Sequence, residues 1–155
     1  MSIDDLKSLM DDFEPATLLP KLEGLGETLA TVMRYVVMAG PVILLVMGLL
    51  YLLVPPKEAN HYFGYRCWFG MGSVDAWRFT QKLAGISWSV AGLVLTLMMW
   101  FRSGKFAGME VMDLIWSAGR SVLLEVVVVA LVCLAINVFT AIRFDSKGEL
   151  RRRKE

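Results

Sequence analysis

YVVMAGPVILLVMGLLYLLVPP, residues 35–56, runs for 22 positions without a charge. A helix rising about 1.5 Å per residue needs about 20 apolar residues to cross ~30 Å of hydrocarbon. This stretch is long enough to span a bilayer. Two more stretches repeat the pattern: LAGISWSVAGLVLTLMMWF at residues 83–101, and residues 121–142, interrupted once by Glu125. A buried helix of a soluble protein rarely carries an apolar run longer than roughly 10–14 residues. The three blocks therefore predict an all-α, polytopic membrane protein with three transmembrane helices.

Composition agrees. Of 155 residues 56% are hydrophobic, and the mean hydropathy is +0.55, whereas ordinary soluble domains are about 45–50% apolar even with glycine counted. Such a chain is neither disordered nor collagen-like. Cys67 and Cys133, its two cysteines, are too few for a disulfide framework. A formal net charge of +1 argues against nucleic acid as a partner, since phosphate binding needs a strong basic excess. No HExxH, CxxC or Walker pattern occurs and His61 is the sole histidine, so no metal or cofactor is expected.

Near-neutrality is an average. Residues 1–34 form an acidic arm with seven Asp and Glu against three Lys and Arg. Ser2 is placed to cap a short helix, and Ile3, Leu6, Leu9, Met10 and Phe13 share one of its faces before Pro15 ends the pattern. This amphipathic segment suits packing on its own protein better than an anionic lipid surface, which would repel it. A cleavable signal peptide would need a basic start. Residues 35–142 make the membrane domain, with a loop at 57–82, and residues 143–155 make a basic tail. The arm and the 102–120 loop share one side of the bilayer and carry six basic residues; the 57–82 loop and the tail share the other and carry ten. The excess of Lys and Arg places the loop and the C-terminus in the cytoplasm.

The loop carries the information. Pro55-Pro56 stops the first helix, and Tyr62, Phe63, Tyr65, Trp68 and Phe69 follow, interleaved with Gly64, Gly70 and Gly72. Ser73 suits an N-cap, with a helix starting at Val74 and Asp75 in its first turn. Trp77, Gln81 and Trp88 then lie on related faces. The spacing Pro56-x-x-x-Asn60-x-x-x-Gly64-Tyr65-Arg66, then Met71, then Trp77-x-Phe79-x-Gln81-Lys82-x-x-Gly85 resembles the signature of the SdpI family of bacterial membrane proteins. That signature lies between two membrane helices. Asn60, Gly64, Tyr65, Arg66, Met71, Trp77, Phe79 and Gln81 match it without a gap. Cys67, Gly70, Ser73 and Thr80 depart from the family's Thr, Ser, Asn and Ala. The similarity covers residues 41–101 and can extend to the third span; it leaves out the acidic arm. It implies a plasma-membrane protein without catalytic activity, and a repressor or a toxin as partner, because one member of the family is an immunity protein that sequesters a repressor at the membrane.

Each feature also has a plainer reading. The loop aromatics suit an interfacial belt, and Arg66 and Arg78 suit anchors on lipid phosphate; the sharper reading makes Gly64-Tyr65-Arg66 a compact docking surface. Glu125 would cost about 2.5–3.5 kcal/mol at a helix centre, so it is placed either near the interface with Arg120 or inside the bundle, paired with Asn137 or another helix. Gly85, Ser89 and Gly92, and separately Ser87 and Ala91, give the second span small residues at helical spacing, which admit a close neighbour. Gly40-Pro41 should kink or start the first span. So small a bundle is expected to form a homo-oligomer or to dock on a larger membrane protein. An interaction protein is the leading functional class. A small transporter or channel subunit would have only Glu125, Asn137, Thr96 and the span serines to line a path. An enzyme acting on lipid-linked substrates would have only His61, Asp75 and Arg66.

Overall fold

The computed structural model describes residues 15–56 and 63–151, with side chains from residue 24. The amphipathic segment read at residues 3–13, and Asn60, lie outside the described residues. The described chain forms three long helices: α1 (Pro15–Leu53), α2 (Val74–Ser103) and α3 (Val111–Arg143). A single 3-10 turn at Phe69–Met71 lies in the connection between α1 and α2. Each helix contains a segment of the length and apolarity needed to cross a membrane: Gly24–Leu53, Val74–Ser103 and Val111–Arg143. The chain is a multi-pass membrane protein.

The helices overrun the charge-free blocks. Proline is tolerated in a first turn, where its missing N–H has no intrahelical acceptor, and α1 begins at Pro15. Gly40-Pro41 does not start the span, because α1 runs through it unbroken. Pro41 removes a hydrogen bond to the Val37 carbonyl, but both side chains are fully buried, and interhelical packing holds the helix across the gap. α3 begins ten residues before the expected Ser121, which shortens the second connection to residues 104–110. Leu114 and Ala118, one turn apart, are 1% and 4% exposed and draw this extra length onto the core, and Phe106 plugs the connection from beneath.

The α1–α2 interface is the most extensive of the three. Its closeness comes from the small residues expected on α2: a Cβ on Gly92 would fall 2.5 Å from the Leu45 backbone nitrogen, and one on Gly85 would strike Leu52. Gly48 of α1 lies directly on the Ser89 backbone. The neighbour these small residues admit is therefore α1 of the same chain. One core cluster joins Val37, Leu44, Leu95, Met99, Phe106 and Leu114 toward the end holding residues 104–110. A second joins Tyr51, Ala84 and Ile136 toward the other end. The outer faces stay apolar. Leu123, Val126, Leu131, Leu134 and Phe139 of α3 are all exposed, as suits a helix solvated by lipid.

A folded cap at the signature loop

The loop does not lie loosely on the membrane; it folds into a cap on one end of the bundle. Ser73 ends it as expected, its Oγ accepting the Ala76 amide at 3.1 Å and opening α2. The same hydroxyl donates to the Gly148 carbonyl at 2.7 Å, tying the cap to the chain beyond α3.

Gln81 is the central clamp. It is fully buried, its Nε2 donates to the Tyr65 carbonyl at 2.7 Å, and its Oε1 accepts the Tyr65 amide at 2.7 Å. A loop residue thus finds on a helix side chain a donor and an acceptor for both of its backbone groups. Gly64 makes the approach possible. Its φ of +129° is rarely open to other residues, and a Cβ there would fall 2.5 Å from Trp77 Cζ2. Trp77 is fully buried, and its indole N–H donates to the Pro56 carbonyl at 2.9 Å. The end of α1 is thereby fastened to the start of α2.

The tyrosine hydroxyl reaches α3. Tyr65 donates to the Cys133 carbonyl at 3.2 Å and accepts Asn137 Nδ2 at 3.2 Å. Burial first, then the neighbouring Cys133 thiol, pushes the pKa of this phenol up, so it remains a donor at neutral pH. Asn137 therefore belongs to the cap. Its expected pairing with Glu125 does not form: twelve residues separate them, about 18 Å along a helix. The Tyr65 ring meets Trp88 edge-on at 5.5 Å, and Trp88 lies 5.3 Å from Tyr51, which meets Phe63 at 5.0 Å.

Phe79, half-buried, packs at 5.5 Å from Phe144, with the Arg143 guanidinium 4.6 Å from its ring centre. Arg66 is exposed on the rim, as are Met71 (46%) and Trp68 (78%). Of the signature residues described, Gly64, Tyr65, Trp77 and Gln81 build the cap, and Arg66 and Met71 face outward. Glu125 stands apart, on the bundle's other half, beside Gly40.

Some participants were not among the expected residues. Cys67 is buried and its Sγ accepts the Gly70 amide at 3.3 Å. Thr80 meets Thr140 at 3.4 Å. Residues 143–151, expected as a plain basic tail, return on themselves: Asp145 Oδ1 accepts the amides of Lys147 and Glu149 at 2.9 Å each, and Phe144 pairs with Leu150. The Asp145–Gly148 spacing is a turn signal that was available in the sequence.

Gln81→Leu keeps the volume and strands both Tyr65 backbone groups. At about 1–3 kcal/mol per unpaired buried group, discounted for partial burial, it should lower stability by roughly 2–3 kcal/mol. Thermal unfolding of the detergent-solubilised protein checks this.

Compared with known proteins, the model of the SdpI/YfhL protein family matches residues 57–140. The match leaves α1 outside, whereas the resemblance read from the signature reached back to residue 41; it takes in α3, the third span to which that resemblance could extend. No curated protein and no solved structure matches the chain.

Proposed function

The chain belongs to the SdpI/YfhL protein family, and on that premise we propose that it is a non-enzymatic interaction protein of a bacterial plasma membrane, serving immunity, signalling or as an accessory subunit. The cap is its recognition surface. The carrying observation is the division of labour within the loop that bears the signature: Trp77, Gln81 and Tyr65 are turned inward and bonded, while Trp68 and Met71 stand out on the rim. A rim held from beneath offers contact area with little ordering cost, and Trp and Arg are the residues on which interface energy concentrates. The excess of Lys and Arg on this side supports a cytoplasmic location for this face. A repressor or toxin is the partner that the family suggests; a second copy or a larger membrane protein would use the same rim.

The polar groups of the spans favour this reading over transport. Thr80, Thr96, Ser121 and Thr140 each donate to a carbonyl of their own helix one turn back, so their protons are already committed within the helices. The test is photo-crosslinking in native membranes from positions 68 and 71, with lipid-facing position 101 as control. One discrete protein adduct from both rim positions and not from position 101 is expected. Adducts with lipid alone would make the rim a headgroup anchor and overturn the proposal.

A further inference from the structure

A groove of about 560 Å³ lies between the helices, from Glu125 up to Met47 and Trp88 beneath the cap, a size within the range of roughly 300–1,000 Å³ typical of small-molecule sites. Pro41, Leu44, Trp88, Val129 and Glu125 are among the residues lining it. All are apolar but Glu125 and the indole N–H of Trp88, which is buried without a hydrogen-bond partner. Glu125 is 8% exposed, and its Oε1 is buried without a hydrogen-bond partner. Its Oε2 sits over Gly40, where a Cβ would come within 2.7 Å; α1 is hollowed at the point where the carboxyl enters.

This carboxyl is inside the membrane. Arg120 precedes it by five residues, and Arg34 precedes Gly40 by six, a depth of about 7–9 Å below the arginines at the helical rise. Five residues turn a helix by about 140°, so Arg120 lies on a different face of α3 and is not placed to pair with Glu125. Arg34 lies over Trp100, 4.8 Å from its ring centre, and Arg102 donates to Ser121 at 2.9 Å.

The spans of a second copy offer no counter-charge at this depth. Residues 35–56, 83–101 and 121–142 contain no Lys, Arg or His, so a second bundle has no cation to offer at this depth. The groove's lip includes Ile43 and Val126, 62% and 60% exposed, on surfaces that face lipid. An occupant therefore arrives sideways from the bilayer, brings its own positive charge, and is otherwise apolar.

We propose that this groove is a binding site for lipophilic primary amines, with the ammonium donating to Glu125 and the apolar body lying along the groove. Trp88 supplies an aromatic wall. The groove shares Trp88 with the underside of the cap but none of the rim residues Arg66, Trp68 and Met71.

The test is calorimetric titration of the full chain in phosphatidylcholine nanodiscs, with empty discs subtracted. The probes are 4-hexylbenzylamine and its neutral counterpart 4-hexylbenzyl alcohol. Saturable binding of the amine, at least tenfold tighter than the alcohol, is expected in the unaltered protein. Glu125→Gln should weaken the amine at least tenfold and leave the alcohol unchanged. Ala130→Phe, which fills the groove from an exposed position without touching the acid, should weaken both probes and decides the matter if Glu125→Gln does not fold. No saturable amine binding, equal affinity for the two probes, or amine binding unaffected by either folded variant would overturn the proposal.

Discussion

Trp77→Ala should detach the cap from the bundle and lower stability by about 3–5 kcal/mol, the usual cost of truncating a buried aromatic to alanine. The lost ring is fully buried, so the surroundings cannot fill the void cheaply. Its indole N–H also holds the Pro56 carbonyl at 2.9 Å, and losing that bond frees the end of α1 from the start of α2. Gly64 loses the surface against which its unusual backbone is set. The damage should therefore exceed a local cavity and appear as opening of the loop. Cys67 reports on this directly, being buried beneath the cap. Its alkylation by a maleimide should be slow in the unaltered protein and fast in the variant, at temperatures where circular dichroism still shows three intact helices. Slow alkylation in the variant would show that the cap holds without the tryptophan.

Gly48→Leu should be as damaging for the opposite reason. A side chain at this position meets the Ser89 backbone and the Trp88 carbonyl carbon, atoms that cannot rotate aside. Overpacking ordinarily costs about 1–3 kcal/mol, but relief here requires α1 and α2 to move apart along their whole contact. Within lipid little else draws helices together, since hydrocarbon solvates leucine as well as a protein interior does. Loss of the folded species in detergent, seen as a collapsed unfolding midpoint in an SDS titration, is the expected result. Gly119→Ala provides the control: nothing lies within 4 Å of that position, and alanine favours a helix interior by about 1 kcal/mol over glycine. It should be neutral or mildly stabilising.

The three helices were legible because a span needs only length and freedom from charge, both local properties. Ser73 was legible for the same reason, since a cap acts within three residues. What Gln81 does was not legible, although its presence in the signature was: its partner lies sixteen residues away, across a loop whose path depends on Gly64. The early start of α3 was hidden because charges at Asp113 and Arg120 mark the limit of hydrocarbon, not the limit of a helix. Asn137 was mistaken for a partner of Glu125, though twelve residues of helical rise alone separate them beyond reach. The setting of Glu125 against Gly40 is a property of how α3 leans on α1, and no single segment records it.

The polar ties on α3 have a mechanical meaning. Ser121 is held by Arg102 near one end, and Asn137 and Thr140 are held by Tyr65 and Thr80 near the other. The distance from Ser121 to Thr140 is nineteen residues, about 28 Å of helix, close to the ~30 Å thickness of the hydrocarbon. α3 is thus pinned at both water-facing borders, like a rung nailed at two heights. It cannot ride up and down as a piston without breaking one set of bonds. A thicker or thinner bilayer is met by tilting the whole bundle, and the cap tilts with it, so the angle at which its rim faces the aqueous phase follows the thickness of the membrane around it.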